Sequence, residues 1–312
     1  MPLAFDLQGH RGARGQRPEN TLPSFEAAFD AGVSSVETDL HLTRDNVVVL
    51  THDPILTEQC FRVLSPGIVP LADRPAVRSL TLEQVRTCVA DRNPDPAQFP
   101  DQTSDATPLA RLFTEERGIH PFSVPTLADL FAFAAAYAGP LGERADKSAT
   151  QRARAGRVRF DLELKRVPFH PEYIGDDYNG TGLGLFERKL LDAVWAAGVA
   201  GRTNVRSFDH RCVAQFLERE RLLLGAVLVG RAAPVRPGNV ASEAKASLYC
   251  PAYKFVDAEL VAEAHAGGAR VVPWTANDET VWRRLIDMGV DGITTDYPDR
   301  LAACLAKWGV AT

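Results

Sequence analysis

Residues 5–39 read FDLQGHRGARGQRPENTLPSFEAAFDAGVSSVETD, and this stretch decides the predicted fold. Apolar and β-branched residues at 5–9 and 33–39 predict two strands, while apolar residues at helical spacing predict a helix at 22–31 between them. A strand, a helix and a second strand in this order are typical of parallel strands joined by a right-handed crossover. We therefore expect an α/β fold built on a parallel sheet.

The alternation of strands and helices continues to the C-terminus. A closed barrel and an open, doubly wound sheet are both compatible with it, so the polar residues at strand ends become the deciding feature. The predicted strands are 5–9, 33–39, 46–51, 158–163, 203–207, 222–228, 270–274 and 290–294. The predicted helices are 22–31, 81–88, 126–137, 183–197, 209–220, 257–266, 278–288 and 298–307.

Three segments interrupt this alternation. Residues 53–125 are long for a connection and contain a helical stretch at 81–88, which predicts a small insertion within a single domain of residues 1–312. Residues 140–157 are polar and basic, which predicts a mobile surface loop. Residues 166–182 follow a predicted strand, so in a barrel they would lie over the active-site mouth. Their ring-bearing side chains include Phe169, His170, Tyr173 and Tyr178.

The composition restricts the classes of partner. The chain has 312 residues, a net charge of -5 and a pI of about 5.8. A mildly acidic chain does not suit general binding of nucleic acid or anionic membranes, because both require a concentrated basic surface. Phosphate-bearing small molecules stay compatible, since a few cations in a cleft are enough to bind them.

The cysteines and the N-terminal residues are the features that predict the cellular compartment. Five scattered cysteines, an odd number without a C-x-x-C pair, predict reduced thiols. The first residues lack the basic and apolar regions of a signal peptide, and no apolar run approaches the ~18 residues of a transmembrane helix. These features predict a cytoplasmic location, with a periplasmic or secreted location as the alternative if a leader has been removed.

Two histidines follow two early strands. His10 and Arg11 come directly after the first strand, and His52 comes after the strand at 46–51. A guanidinium can bind two phosphate oxygens at once, and an imidazole can move a proton near neutral pH. A single histidine in such a place is more often structural. Displacement at phosphorus needs one group to take a proton and another to give one, so the pair indicates acid–base chemistry.

Carboxylates alternate with apolar residues on two other strands. Glu37 and Asp39 share one face of their strand, because residues two apart point the same way. Asp161, Glu163 and Lys165 share a face in the same manner. Buried carboxylates repel one another unless something neutralises them, and a divalent cation such as Mg²⁺ or Ca²⁺ prefers oxygen ligands. The alternative interpretation is a solvated edge strand for Glu37 and Asp39, and an exposed face with an internal ion pair for the strand of Asp161, Glu163 and Lys165.

The last strands add two candidates. Trp274, at a strand end, is either a core residue or a wall for the alcohol group of a ligand. Asp296 precedes Pro298 at the start of the last helix, and we predict a helix-capping role for it rather than a catalytic one.

These motifs together resemble the glycerophosphodiester phosphodiesterase family. The matching segments occur in the family's order, span residues 8–299 and are GHRGARGQRPENTLPSFEAAFDAG, VETDLHLTRDNVVVLTHDP, LELK, VVPWTAN and GVDGITTDYPD. The resemblance implies a TIM barrel with a small insertion after the second strand, which is compatible with the long segment at 53–125. It also implies hydrolysis of a glycerophosphodiester to sn-glycerol 3-phosphate and an alcohol.

The resemblance further implies the roles of particular residues. A divalent ion, Ca²⁺ or Mg²⁺, would be held by Glu37, Asp39 and Glu163. His10 and His52 would be the general acid and base, in an order that the resemblance leaves open. Phosphate would be bound by Arg11 and Lys165, and Glu19 would orient Arg11.

Two other classes of protein stay compatible with the sequence. One is a related phosphodiesterase that acts on lipid headgroups, such as a lysophospholipase D, for which the aromatic segment at 166–182 is the one indication. The other is a noncatalytic barrel that binds a sugar phosphate or polyol phosphate. The two histidines argue against simple binding, because binding needs no proton transfer.

Overall fold

The computed structural model describes residues 4–64 and 68–312, and it confirms the predicted (β/α)8 barrel. The strands are β1 (Asp6–Gly9), β2 (Ser35–Leu42), β3 (Val48–Leu50), β4 (Arg62–Val63), β5 (Cys88–Val89), β6 (Arg159–Leu164), β7 (Thr203–Ser207), β8 (Leu224–Val229), β9 (Leu248–Pro251), β10 (Arg270–Val271) and β11 (Gly292–Thr295). The helices are α1 (Leu22–Asp30), α2 (Leu82–Arg86), α3 (Pro108–Glu115), α4 (Leu127–Ala138), α5 (Pro140–Arg144), α6 (Ala149–Ala155), α7 (Leu185–Ala196), α8 (His210–Arg219), α9 (Pro237–Glu243), α10 (Ala258–Ala266), α11 (Glu279–Asp287) and α12 (Pro298–Trp308).

Eight parallel strands form the barrel in the order β10-β9-β8-β7-β6-β2-β1-β11. The two ends of this order meet through backbone hydrogen bonds. The Asp291 N–H donates to the Val271 carbonyl at 2.8 Å, and the Thr294 N–H donates to the Pro273 carbonyl at 3.0 Å. These bonds nearly close the barrel, which removes the unpaired edges that an open sheet would expose.

Two strands differ from the prediction. The strand predicted at 46–51 is present as β3, but it pairs antiparallel with β2 and lies outside the ring of parallel strands. A tight turn causes this reversal: the Thr43 N–H donates to the Val47 carbonyl, and Asn46 has a positive φ of 62°. The barrel also contains β9, a strand that was not among those predicted.

The interior of the barrel has a polar half and an apolar half. Strands β1, β2, β6 and β7 bury polar and charged side chains there, namely Gln8, Glu37, Asp39, Asp161, Glu163, Asn204 and Arg206. Strands β8 and β9, with the residues after β10, bury an apolar cluster there, namely Ala226, Leu228, Leu248, Cys250 and Val272. The alternate residues of β8, β9 and β10 pack outward into the main core beneath the helices, namely Val227, Tyr249 and Val271.

The helices form the outer layer of the fold. Helix α8 shows the usual pattern, because Cys212, Val213 and Phe216 are buried against the barrel and most of its other side chains are polar. Helix α4 begins with a capping box, in which Thr126 accepts from the Asp129 N–H and Asp129 accepts from the Thr126 N–H. Within the described residues, no helix combines the length and the apolar character that crossing a bilayer requires.

The segment between β3 and α4 has two parts. Strands β4 and β5 form a small antiparallel sheet, and side chains from Leu56 to Ala90 form a second apolar cluster with Val49 and Val124. Helix α3 instead packs into the main core through Leu109 and Phe113. The N-terminus of α3 is tied to α1, because the Glu26 carboxylate accepts from the N–H groups of Leu109 and Ala110.

The segment at 140–157 is not a loop. It contains α5 and α6, and α6 begins with a capping box between Ser148 and Gln151. Lys147, which precedes this cap, is nearly buried, with its ammonium 2.7 Å from Glu26 and 2.8 Å from Asp30. The prediction was wrong because Arg144 and Lys147 pair with acids elsewhere in the chain, and composition alone does not show such pairs.

Candidate active site

The candidate residues lie at the C-terminal ends of the barrel strands, where the connections to the helices meet. One cavity of about 240 Å³ is lined by most of the residues singled out in the sequence. Its lining residues are His10, Arg11, Glu37, His52, Glu163, Lys165, Arg206, Phe208, Leu228 and Trp274. Closure of the barrel therefore brings together groups that are up to 264 positions apart (from 10 to 274) in the chain.

The segment after β1 is folded tightly against the site. Arg11 has a positive φ of 51°, and its backbone N–H donates to Glu37 Oε2 at 3.0 Å. Gly12 has a φ of 89°, and a Cβ at this position would lie 2.5 Å from the Ser24 hydroxyl. Glycine is therefore required at this turn. The turn aims the His10 and Arg11 side chains into the cavity.

Three carboxylates form one cluster. Parallel pairing of β2 with β6 places Asp39 beside Glu163, and Glu37 lies two residues earlier on the same face. Glu37, Asp39 and Glu163 are buried, and one oxygen from each lies within 4.8 Å of the others. The alternative of outward-facing acids on an edge strand is wrong for these three residues, since both strands are central.

Cations beside the cluster offset part of its charge. The Lys165 ammonium lies 2.9 Å from Glu163 Oε1 and 3.3 Å from Asp39 Oδ1, and Arg11 Nε lies 3.2 Å from Asp39 Oδ2. Burial would raise the pKa of Asp39, but Lys165 and Arg11 hold it well below its usual range. Burial and the neighbouring Asp39 carboxylate raise the pKa of Glu37 well above its usual range. The cluster therefore carries an unfavourable concentration of negative charge.

The donor set fits a hard divalent cation. Carboxylate oxygens are the ligands that Mg²⁺ and Ca²⁺ prefer. Asp39 Oδ1 and Glu163 Oε1 are buried, and both lie beside the single ammonium group of Lys165. A bound divalent cation would add positive charge that offsets the burial and the Asp39 repulsion that raise the pKa of Glu37.

Asp296 has a different place from the predicted one. It does not cap the last helix, for which no side-chain cap is formed. Its Oδ1 instead accepts a 2.6 Å hydrogen bond from His10 Nδ1, and its Oδ2 accepts one from Asn277 Nδ2 at 2.6 Å. This carboxylate fixes the imidazole with Nε2 turned toward the carboxylate cluster, 3.9 Å from Glu37 Oε2. Asp296 and Asn277 are site residues that the sequence analysis did not assign.

The environment of His10 favours the neutral imidazole. Burial lowers the pKa of His10 below its ordinary value, and the Asp296 carboxylate opposes this shift only in part. Burial would raise the pKa of Asp296, but His10 and Asn277 hold it below its usual range. The pair is therefore a neutral imidazole hydrogen-bonded to an ionised carboxylate near neutral pH.

His52 lies nearer the solvent. Its side chain is 34% exposed, and its Nδ1 is 2.7 Å from the Asp53 carboxylate. The backbone beneath it is held by His41, whose Nε2 donates to the His52 carbonyl at 3.1 Å. Burial lowers the pKa of His41 to about 4, so this ring is a neutral structural donor. His41 was not among the predicted site residues, although it lies on β2 at the same two-residue spacing as Glu37 and Asp39.

The Arg11 side chain is held by two acids, Glu19 and Asp39. Glu19 accepts two hydrogen bonds from Arg11 Nη1, both at 2.8 Å, and also pairs with Arg14 at 2.7 Å. Asn20, on the same segment, donates to Asp39 Oδ2 at 2.9 Å and accepts from the Thr38 hydroxyl at 2.7 Å. The prediction that Glu19 lies against Arg11 agrees with this contact. Arg14 and Asn20 are further contributors, and both lie in the quoted motif.

The far wall of the cavity is apolar. Phe208 and Trp274 form an edge-to-face pair with ring centroids 5.6 Å apart. Trp274 Nε1 donates to the Cys250 carbonyl at 2.8 Å, which fixes the indole in place. Below this wall, Arg206 is buried and pairs with Asp161 at 2.7 Å. Trp274 thus lines the cavity, as one of the two interpretations of the sequence expected.

The segment at 166–182 surrounds a separate, neighbouring cavity. Arg166 anchors the segment, because its guanidinium pairs with Asp176 and Glu187 and lies over the Tyr178 ring. Phe169 is 88% exposed, and the rings of His170 and Tyr173 are stacked 4.7 Å apart. None of these side chains lines the cavity that holds His10 and the carboxylates.

Comparisons with known proteins identify the family of the chain. The model of the glycerophosphoryl diester phosphodiesterase family matches residues 10–300. A glycerophosphodiester phosphodiesterase of Caldanaerobacter subterraneus subsp. tengcongensis is 25% identical over 304 residues, which cover 96% of this chain and 97% of that protein.

Solved structures are similar over nearly the whole chain. A protein of Silicibacter pomeroyi DSS-3 that bears the same family name is 27% identical with a TM-score of 0.76, and the match covers 100% of this chain and 96% of that one. A phosphodiesterase of Oleispira antarctica, solved in complex with the product sn-glycerol-3-phosphate, is 18% identical with a TM-score of 0.65 over 96% of each chain. The second likeness concerns the fold alone.

Proposed function

The chain belongs to the glycerophosphoryl diester phosphodiesterase family, and we propose that it hydrolyses glycerophosphodiesters to sn-glycerol 3-phosphate and an alcohol by means of two histidines and a divalent metal ion. Family membership makes it a glycerophosphodiester phosphodiesterase. The observation that carries the rest of the proposal is the convergence of His10, Arg11, Lys165 and the three-carboxylate cluster in one cavity.

Glu37, Asp39 and Glu163 would hold the metal ion. When bound, a divalent cation supplies positive charge that stabilises the extra negative charge of a five-coordinate phosphorus. Arg11 and Lys165 supply cationic donors on the same side of the cavity. Because Glu19 and Asp39 hold the Arg11 guanidinium in place, little side-chain entropy is lost when it binds phosphate oxygens.

His10 is the better candidate for the general base. Its imidazole is held neutral by burial, and Asp296 directs its Nε2 toward the carboxylate cluster. It can therefore accept the proton of the attacking hydroxyl, which is either water or the 2-hydroxyl of the glycerol. His52 lies at the solvent-facing side and can give a proton to the leaving alcohol oxygen.

A panel of substrates tests the proposal. Purified protein is assayed with the glycerophosphodiesters of choline, ethanolamine, glycerol and inositol, with Mg²⁺ or Ca²⁺ added, and sn-glycerol 3-phosphate is measured directly. We expect release of sn-glycerol 3-phosphate from at least one diester. No release from any of them with either metal would contradict the proposal.

A matched pair of variants tests the histidine roles. His10→Ala should lower turnover strongly, while His265→Ala should not. His265 is a suitable control because it is a histidine paired with an aspartate, Asp291, at the opposite end of the barrel. Equal losses in the two variants would indicate a general effect on folding rather than a role in catalysis.

A further inference from the structure

Strand β2 carries a third polar side chain in line with its two acids. His41 follows Asp39 by two residues, as Asp39 follows Glu37, so the three side chains lie on one face of the strand. The His41 ring is buried, and none of the roles proposed above uses it. Because burial of a polar ring is unfavourable without a partner, the group that His41 bonds indicates its role.

The partner of His41 is the backbone of His52. His41 Nε2 donates to the His52 carbonyl at 3.1 Å. One residue earlier, the Thr51 N–H donates to the Asp39 carbonyl, also at 3.1 Å. Strand β3 ends at Leu50, so the chain beyond it is tied to β2 at two successive residues. The backbone that carries the His52 imidazole is therefore held against the strand that supplies two members of the carboxylate cluster.

The bond to a carbonyl fixes the form of the His41 ring. A carbonyl oxygen can only accept, so the single proton of the neutral imidazole must lie on Nε2. Burial lowers the pKa of His41 to about 4, which keeps the ring in this neutral form near pH 7. His41 is thus a donor of fixed direction that carries no charge into the carboxylate cluster.

The His52 imidazole is held only weakly through its own side chain. It is 34% exposed, and its Nδ1 lies 2.7 Å from Asp53, whose side chain is 61% exposed. Water competes for both partners of such an exposed pair, so the pair restrains the ring little. The contrast is His10, which bonds the buried carboxylate of Asp296. The position of the His52 ring therefore depends mainly on its backbone.

We propose that His41 is a positioning residue for the departure of the alcohol: by bonding the His52 carbonyl, it sets the place of the His52 imidazole relative to the carboxylate cluster. The inference rests on the proposed function, in which His52 gives a proton to the leaving oxygen. As the bond between phosphorus and this oxygen breaks, its electron pair stays on the oxygen and the proton joins it. A displacement of a catalytic group by ~1 Å lowers the rate by roughly 10²-fold, so loss of this hydrogen bond should be measurable.

Two diesters that differ only in the leaving group test this proposal. Choline leaves as an alcohol and needs a proton, whereas 4-nitrophenol leaves readily as an anion and needs none. The kcat/KM for release of each is measured for glycerophosphocholine and for glycerol 3-(4-nitrophenyl phosphate), with Mg²⁺ or Ca²⁺ added. His41→Leu removes the donor and keeps an apolar side chain in its place. We expect it to lower kcat/KM by roughly 10–100-fold for glycerophosphocholine and by less than about twofold for the nitrophenyl diester.

Further variants separate positioning from folding. The ratio of the two kcat/KM values does not depend on how much of the enzyme is folded. His41→Gln places an amide donor near the position of Nε2 and should bring the ratio back to within about threefold of that of the unaltered protein. The shorter His41→Asn cannot reach the carbonyl and should behave as His41→Leu does.

His210→Leu is the matched control. His210 Nε2 also donates to a backbone carbonyl, that of Leu228 at 2.9 Å. This carbonyl lies on β8, a strand that supplies neither of the two proposed catalytic histidines and none of the three carboxylates. The control should leave the ratio between the two diesters unchanged. A ratio that changes as much in the control as in His41→Leu would contradict the proposal.

His52→Ala distinguishes a failure of this inference from a failure of the proposed function. If it lowers kcat/KM selectively for glycerophosphocholine while His41→Leu and His41→Asn leave the ratio unchanged, His41 has no positioning role and the reaction stands. If His52→Ala lowers both values equally, His52 is not the acid, and this inference is lost with that role. No hydrolysis of either diester by the unaltered protein would remove the proposed function itself.

Discussion

The two halves of the active-site mouth are built in opposite ways. On the side of β1, β2 and β11, charged groups are buried and each is held by partners, as His10 is held by Asp296 and Arg11 by Glu19. In the segments that follow β6 and β8, apolar side chains such as Phe169 and Val235 project into solvent, although β6 itself supplies Glu163 and Lys165 to the charged cluster. The comparison separates side chains that depend on buried partners from side chains that do not.

The two sides differ because burying a charged group costs free energy. A buried carboxylate or guanidinium without a partner costs several kcal/mol, so every member of the charged half depends on the others. An exposed apolar side chain has no such dependence, and its replacement changes stability little. The charged half should therefore tolerate few substitutions, and the apolar half should tolerate many.

Removal of the metal ion should give the largest effect. Without a divalent cation the carboxylate cluster cannot offset the charge of the phosphodiester, so we expect turnover to fall by roughly 10⁴-fold after complete chelation. Added Mg²⁺ or Ca²⁺ should restore it, and isothermal titration should detect binding that Asp39→Asn weakens. Activity that survives complete chelation would exclude the metal assignment.

The two histidines should give the next largest effects. His10→Ala and His52→Ala should each lower kcat by roughly 10³-fold, since each loses one proton transfer. Steady-state kinetics measure this, and circular dichroism checks that the fold is kept. Near-normal turnover in both variants would remove the acid–base mechanism and with it the chemical role of the charged half.

Asp296→Asn should have an intermediate effect with a pH signature. Loss of the carboxylate should lower kcat by roughly 10²-fold, because His10 loses the partner that orients it. The proposed base must be neutral, so activity should be lost as the pH falls through the pKa of His10, which burial lowers below its ordinary value. Asp296 raises that pKa, so the variant should lose activity at a still lower pH. A pH–rate profile with an unmoved acidic limb would contradict this positioning role.

The smallest predicted effect is the change in the free energy of unfolding when an exposed apolar side chain is replaced. Val235→Ser should change the free energy of unfolding by less than ~0.5 kcal/mol, because its side chain is exposed. Asn20→Ala on the charged half should cost ~1–3 kcal/mol, because Asp39 and Thr38 lose buried hydrogen bonds. Urea unfolding measures both. Equal changes in the free energy of unfolding would show that substitutions in the two halves have the same effect on stability.

Part of the candidate site was predictable, because local patterns in the sequence mark its residues. Glu37 and Asp39 share a strand face, and His10 follows a strand, so local periodicity was enough to single them out. Asp296 was misjudged because a helix start was the nearest local explanation, whereas its partner His10 is 286 positions away. The basic segment at 140–157 was misjudged for the same reason, since the partners of Lys147 lie on α1.

The sequence by itself determined the α/β class, the chemical types of the site residues and their order along the chain, because these depend on periodicity and on the residues present. Only the tertiary structure decided that β3 turns back on β2 and that β9 completes the barrel. It also decided that Asp296 orients His10 and that the barrel interior divides into polar and apolar halves. These features depend on which distant residues meet when the barrel closes, and no local pattern carries that information.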